Sequence, residues 1–331
     1  MFKEVNSLKD VGIDLGTANV VVYVKGKGIV LNEPSVVAID TDTKEILAVG
    51  KDANEMVGRT PGKITAVKPM KDGVIADFEI TEAMLNKFLR KAIGKFSLRP
   101  RILICCPSNI TQVERNAIKE AAIRTGARKV YLEEEPKVAA IGAGLDISKP
   151  TGNMVIDIGG GTTDIAVLSL GNIVTSESVK IAGNAFDQDI INYLKENYKI
   201  LIGEVTAENI KKEMGSVIPS KEETTKEVKG RDIVSGLPKT VTVKENDVVE
   251  ALKPDVLKLV QATKRVLEKT QPELSADIID KGVILTGGGS LLNGLIDLFS
   301  KELKVPVFVA EHPLTCVADG AGMMLNHLEL L

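Results

Sequence analysis

The chain has 331 residues, more than one hydrophobic core usually holds, so two ordinary domains are expected. Its hydrophobic share of 44% and charged share of 26% are those of a soluble globular protein and exclude a disordered or membrane-embedded one. A formal net charge of −3, with acids and bases interspersed, predicts no whole-molecule attraction to nucleic acid, so none is expected as a partner.

The start, Met1 to Leu8, lacks the long apolar core of a signal peptide. No stretch of about 18 uncharged apolar residues suits a membrane span. Cys105 and Cys106 lie in one apolar run and Cys316 far away, so they read as small apolar filling, not as a disulfide framework. There is no CxxC, and the histidines are His312 and His327, so no structural zinc is expected. The compartment these features predict is reducing and cytosolic.

From the N-terminus, strands are predicted over Val11 to Asp14, Val20 to Lys25 and Ser35 to Ile39. Met84, Leu85, Phe88, Leu89 and Ala92 recur at helical spacing, which predicts a helix over Thr81 to Ile93 that ends before Gly94. Thr111 and Glu114 have the spacing of a capping box, and the helix they open should run to about Thr125 with Gly126 as its stop. The strand Lys129 to Leu132 leads into Glu133-Glu134-Glu135-Pro136. Glu133 is expected on a solvated face. Pro136 in a first helical turn fixes Glu135 just before a helix, with Ala139, Ala140 and Gly142 packing closely behind.

A second strand–helix series follows: Met154 to Asp157, Asp164 to Ser169 and Asn172 to Lys180, then a helix from about Asp187 to Tyr198. Residues from about Pro219 to Glu245 are rich in Lys, Glu and Thr, and Thr240 to Val243 alternates like an edge hairpin, which predicts a peripheral subdomain. Helices are predicted from about Val256 to Lys269 and from Ser290 to Leu303, with the apolar strand Gly282 to Leu285 between them.

The chain repeats itself. Val11-Gly12-Ile13-Asp14-Leu15-Gly16-Thr17 is echoed by Val155-Ile156-Asp157-Ile158-Gly159-Gly160-Gly161-Thr162, and each is followed at once by another apolar strand. Two hairpins of one design predict two similar domains facing each other. Glycine at such a turn lets ligand atoms approach the main chain, and successive N–H groups then form an anion nest. Gly16, Thr17, Ala18 and Asn19 suit one nest, and Gly159, Gly160, Gly161, Thr162 and Thr163 the other, with the threonine hydroxyls as further donors. Either loop alone is equally an ordinary glycine hairpin; the pair together points to two nests holding phosphates of one nucleotide. Asp14 and Asp157 would then face Mg2+, largely through water.

Gly287-Gly288-Gly289 follows an apolar strand, and Ser290 is expected to open the helix behind it, a site for nucleotide phosphates or for packing against a base. The loop is neither a Walker A loop nor a GxGxxG fingerprint. A carboxylate placed like that of Glu135 can orient the water that attacks a γ-phosphate, because phosphoryl transfer needs mainly positioning and charge neutralisation.

Together these segments resemble the actin, heat-shock chaperone and sugar-kinase superfamily. Within it, Gly12 to Asn19, Asn32 to Val36, Asp72 to Asp77, Asp157 to Thr163, Leu285 to Leu292, Pro313 to Thr315 and Gly320 to Gly322 are similar to the MreB family of bacterial actins, over essentially the whole chain. The resemblance implies an α/β, duplicated ribonuclease H-like fold of two domains, each with a large and a small subdomain, around a nucleotide cleft. The large subdomain of the first domain would take residues 1–32, 67–145 and 313–331, and the small one 33–66. Those of the second would take 146–180 with 247–312, and 181–246.

The resemblance also implies ATP and ADP as ligands, slow ATP hydrolysis, and assembly into parallel or antiparallel protofilament pairs. These would lie at the inner face of the cytoplasmic membrane, on anionic lipid, with cell-shape or wall-synthesis proteins as partners. By the same match Glu135 positions the attacking water with help from Thr162 and Asp157, and Gly183 and Asp187 lie near the cleft. Glu208 and Lys211, on a helix over Ala207 to Met214, take ribose-contacting places or form a surface ion pair. The chain departs from the family at Asp164, where Glu is usual, at Glu133, usually apolar, and at Lys137, commonly Met. Phe96 and Leu98, flanked by Lys95 and Arg99, suit shallow insertion into anionic lipid or a helix–strand corner. A chaperone ATPase would need an attached peptide-binding domain. A small-molecule kinase would need a substrate base in the cleft, and residues 219–245 make a poor substrate lid.

Overall fold

Apolar residues alternating with turn signals build most of the chain into short strands and covering helices. In the computed structural model, which describes residues 10–94, 99–108, 110–219 and 224–327, the chain divides into two units. One comprises residues up to Asp146 with those from Leu314 onward, the other Ile147–Pro313.

The first unit begins with strands β1 (Val11–Leu15), β2 (Asn19–Val24) and β3 (Gly28–Pro34). A small sheet of β4 (Val37–Asp40), β5 (Ile46–Val49) and β6 (Ile64–Val67) packs against Ala53 of the short helix α1 (Lys51–Asn54). Then come the two-residue strands β7 (Met70–Lys71) and β8 (Val74–Ile75), helix α2 (Phe78–Ile93), β9 (Arg101–Cys106), α3 (Gln112–Arg124), β10 (Lys129–Glu134) and α4 (Glu135–Gly142). The main sheet has the order β10-β9-β1-β2-β3. Strands β1, β9 and β10 run parallel, and β1, β2 and β3 form an antiparallel meander.

The capping box of α3 forms as predicted, with Thr111 and Glu114 satisfying each other's backbone N–H groups. Helix α2 starts three residues before the predicted Thr81, because Asp77 caps it by accepting from the N–H of Ile80 at 3.0 Å. Strand β3 was not predicted; its inward residues Leu31 and Glu33 are flanked by exposed ones, a weak alternation.

The second unit repeats the plan. Strands β11 (Asn153–Ile158), β12 (Thr163–Ser169) and β13 (Asn172–Val179) form a meander, followed by α5 (Gly183–Tyr198), β14 (Ile200–Leu201) and α6 (Glu204–Met214). The predicted peripheral hairpin is β15 (Thr225–Asp232) and β16 (Pro238–Lys244), which pair with β14. After them come α7 (Glu245–Lys269), α8 (Pro272–Lys281), β17 (Val283–Thr286), a 3-10 turn at Gly288–Leu291, α9 (Leu295–Leu303) and β18 (Val307–Val309). The sheet order β13-β12-β11-β17-β18 is that of the first unit read from its meander edge. Strands β11, β17 and β18 are parallel, as β1, β9 and β10 are. The chain then returns to the first unit as α10 (Cys316–Met324).

Two helices differ from expectation. Helix α7 starts at Glu245, well before the predicted Val256, and passes through Pro254. Pro254 and Glu250 are both exposed, so the carbonyl that proline leaves unpaired lies on the solvated side of the helix. The predicted helix from Ser290 is broken: Gly294 takes a left-handed conformation, φ 76°, and the α-helix begins only at Leu295.

Helices α4 and α10 approach so closely that side chains are excluded. A Cβ at Gly142 would lie 1.9 Å from the carbonyl oxygen of Cys316, and one at Gly320 would lie 2.1 Å from that of Val138. This contact fixes the back of α4, whose first residue is Glu135.

Candidate functional site

In the first unit the turn between β1 and β2 is closed tightly at Gly16, where a Cβ would meet the carbonyl oxygen of Asn19 at 2.7 Å. Ser35 holds the turn from the side: its hydroxyl donates to the Gly16 carbonyl at 2.6 Å and its N–H to that of Ala18 at 2.8 Å. Thr17 is buried, and its hydroxyl oxygen accepts from the N–H of Gly73 at 2.9 Å. The Asn19 amide donates to Asn32 at 2.7 Å. The N–H groups of Thr17 and Ala18 have no backbone partner among the described residues. Ser35 and Gly73 were not singled out from sequence, although Ser35 stands directly after Pro34 in the motif Asn32 to Val36.

Strand register sets the chemistry beside that turn. Asp14 on β1 is level with Cys105 on β9, and Cys105 with Glu133 on β10. Partners in a parallel ladder share a face, so the three side chains form one row across the sheet. Burial pushes the Asp14 carboxyl up to about 7. Burial first, then the charges of Asp14, Glu135 and Glu133, raises the Cys105 thiol well above its ordinary range, which puts Glu135 within electrostatic reach of this row. Cys106 is pushed up to about 12, mainly by burial. Both thiols are therefore neutral fillers, as the sequence implied.

Glu133 is not on a solvated face. It pairs with Lys137 at 3.0 Å, the two side chains being 15% and 22% exposed, while Glu134 pairs with Arg115 at 3.0 Å. The expectation failed because the register of β10 sets Glu133 on the same face as Cys105 and Asp14, where Lys137 from the first turn of α4 pairs with it.

In the second unit Asp157 and Asp164 stand opposite each other on β11 and β12, both buried. The N–H of Gly159 donates to the Thr162 carbonyl at 3.0 Å and closes the turn. Among the described residues no backbone acceptor takes the N–H groups of Gly160 and Gly161. Thr162 is buried beside them. Thr163 does not offer its hydroxyl outward as expected, because that hydroxyl donates to the Ile181 carbonyl at 2.6 Å.

Helix α5 begins against this turn, the N–H groups of Gly183 and Asn184 donating to the carbonyls of Gly159 and Gly160 at 3.1 and 2.8 Å. Its start thus lies before the predicted Asp187. Lys211 on α6 reaches in to pair with Asp187 at 2.8 Å and donates to the Gly183 carbonyl at 2.7 Å. Glu208 instead pairs with Lys212 at 2.7 Å and is more exposed than Lys211, so the two residues read together from sequence take different partners.

The glycine run packs directly on the end of β11. At Gly287, φ 77°, a Cβ would lie 2.3 Å from the Ile158 carbonyl oxygen and 2.5 Å from the Asp157 carboxylate; at Gly289 it would lie 2.2 Å from the Ile158 side chain. Gly288 is the exposed member. The second unit thus brings together Asp157, the turn Gly159–Thr162, Gly183, Asp187, Lys211 and Gly287–Gly289. Phe96 and Leu98 lie outside the described residues.

The MreB/Mbl protein family matches residues 8–331. The cell shape-determining protein Mbl of Bacillus subtilis is 63% identical, covering 98% of this chain and 97% of its own. The cell shape-determining protein MreB of Escherichia coli K12 is 53% identical, with coverages of 97% and 94%. Among solved structures, MreB5 of Spiroplasma citri bound to ADP superposes with a TM-score of 0.94 at 41% identity, covering 98% of both chains, and its AMPPNP form with 0.92 at 40%. The MamK double helical filament, at 21% identity, shares the fold with a TM-score of 0.83.

Proposed function

The chain belongs to the MreB/Mbl family and has its α/β actin-like fold, and from that premise we propose that it is a cytoskeletal determinant of cell shape that binds ATP with Mg2+, hydrolyses it slowly and polymerises into filaments. One observation carries the reading: an acid-tipped glycine hairpin occurs once in each of two sheets of the same topology. The ADP and AMPPNP held by the Spiroplasma relative support it.

In this reading the N–H groups of Gly16 to Asn19 and of Gly159 to Thr162 bind the nucleotide's phosphates. Gly183, the Asp187–Lys211 pair and Gly287 to Gly289 hold the nucleoside, with Glu208 toward the ribose. Asp14 and Asp157 hold Mg2+ largely through water. Asp14 fits that role, because a carboxyl that burial pushes up to about 7 is one whose charged form a divalent cation stabilises. When bound, the ion would neutralise phosphate charge. Glu135 orients the attacking water, with Thr162 beside the γ-phosphate, and the shortened carboxylate of Asp164 bears on the rate of that step. Filaments of paired protofilaments would lie at the inner face of the cytoplasmic membrane, on anionic lipid through Phe96 and Leu98, and organise cell-shape or wall-synthesis proteins.

Sedimentation after adding Mg-ATP tests this, with and without anionic vesicles. Nucleotide-dependent pelleting with slow phosphate release is expected, and a Phe96→Ser/Leu98→Ser variant should pellet less with vesicles. No pelleting under any nucleotide or salt condition, with phosphate passed to a sugar instead, would overturn the filament reading.

A further inference from the structure

The corner between β10 and α4 carries the acid to which hydrolysis is assigned, and several contacts set its geometry, the Glu134–Arg115 pair at 3.0 Å among them. Glu134, the residue before the helix, gives α4 no side-chain cap. The exit from the strand is tied down by Cys106, whose thiol donates to the Glu133 carbonyl at 3.4 Å. The back of the helix is fixed by the glycine contact with α10. Across the corner itself runs the ion pair from Glu133, on the strand, to Lys137, in the first turn of the helix, at 3.0 Å and mostly shielded from water. Glu135 lies midway along the segment that this pair spans.

We propose that the Glu133–Lys137 ion pair is a positioning device for Glu135: it clamps the end of β10 to the first turn of α4 and so fixes the direction of the Glu135 carboxylate. An exposed pair of this spacing contributes little, since water screens it and two long side chains must be ordered. Here the side chains are 15% and 22% exposed, so the pair is held in place and its loss leaves a shielded charge without its partner. Its register is also specific. Glu133 is level with Cys105 and, through it, with Asp14, so the pair ties the corner to the row of side chains beside the first glycine turn. Without the clamp the helix start can rotate about the strand end while its far end stays packed on α10. Displacement of about 1 Å in a positioning group is enough to cost a large factor in rate.

This inference rests on the hydrolytic role proposed for Glu135, and the test separates the two. Phosphate release with Mg-ATP is measured on the full chain for Lys137→Met, Glu133→Gln, the double variant and Lys137→Arg, alongside nucleotide affinity and amide exchange. Lys137→Met and Glu133→Gln should each lower kcat about tenfold while KM stays within about twofold. The double variant should be no slower than either single one, and Lys137→Arg should keep at least about half the rate, because the pair acts as a unit. Effects that multiply in the double variant, or a change confined to KM, would overturn the clamp. Should the unaltered protein release no phosphate at all, the hydrolytic reading fails by itself. The clamp is still judged by exchange at the Ala139 and Ala140 amides, which should quicken severalfold in Lys137→Met but not in Lys137→Arg; equal exchange in all variants would sink it.

Discussion

In the first unit the strand beside Asp14 brings Cys105, and one strand further Glu133, into the same row, whereas in the second the strand beside Asp157 ends at Thr286 and gives way to three glycines. The hairpins are alike in sequence and the sheets alike in order, yet the surroundings have diverged. The first unit gathers carboxylates and a helix that begins with Glu135. The second gathers main chain, with glycines pressed onto Asp157 and a buried Lys211–Asp187 pair against the turn. If each hairpin takes phosphate, as proposed, the duplicated frame keeps that task in common, and the halves differ in that the acid proposed to act on water, Glu135, stands only in the first.

The sharpest way to break that division is Glu135→Ala. Phosphate release should fall on the order of a hundredfold or more while nucleotide affinity stays within about threefold. Normal turnover would remove the acid from the role, and with it the contrast between the halves.

The next effect is on stability. Gly142→Ala or Gly320→Ala places a methyl group against backbone that cannot move alone, and each should cost on the order of 3 kcal/mol in a denaturant melt. Gly62→Ala, where the added atom meets nothing and φ is ordinary, should be neutral. In the second unit Gly287→Ala faces both a positive φ and the Ile158 carbonyl, and should weaken nucleotide binding as well as the fold. Equal stability across these variants would show that the close approaches are not required.

The smallest effect concerns a half-buried acid pair on the helices of the second unit. Asp189 on α5 is raised from its ordinary 3.8 to about 7, mainly by burial and then by Asp255 on α7, with Lys258 opposing. Between those two values the folded state binds more protons than the unfolded chain, so this group makes stability fall as pH rises through that window. Asp189→Asn should therefore gain about 1 kcal/mol at pH 8, after allowance for solvent screening, and nothing below about pH 4. A gain that is the same at both pH values would contradict the assignment.

What was legible in the sequence was local. The hairpins, the capping box at Thr111 and Glu114, and the edge hairpin around Thr240 to Val243 are written in neighbouring residues, and all three form. The elements that escaped depend on partners far along the chain or on the solvent side of a helix. The helix expected from about Val256 starts at Glu245, because Pro254 sits on the exposed side of α7 and the helix continues through it. Ser290 looked like a helix start, but the glycines before it are pressed onto β11 and Gly294 turns the chain left-handed first. Within the site, the pairing of Lys211 with Asp187, and of Glu208 with Lys212, follows from where α6 rests against α5, which one sequence does not state. The Thr163 hydroxyl was lost to Ile181 for the same reason.

The account depends most on both acid-tipped turns serving the same nucleotide, and Mg2+-dependent ATP affinity measured for Asp14→Asn and Asp157→Asn tests it directly. Each variant should bind Mg-ATP about tenfold or more weakly than the unaltered chain while keeping its fold, because each loses a carboxylate proposed to hold the ion. Undiminished Mg-dependent affinity in either one would show that only a single turn takes part, and the shared role of the two hairpins would fall.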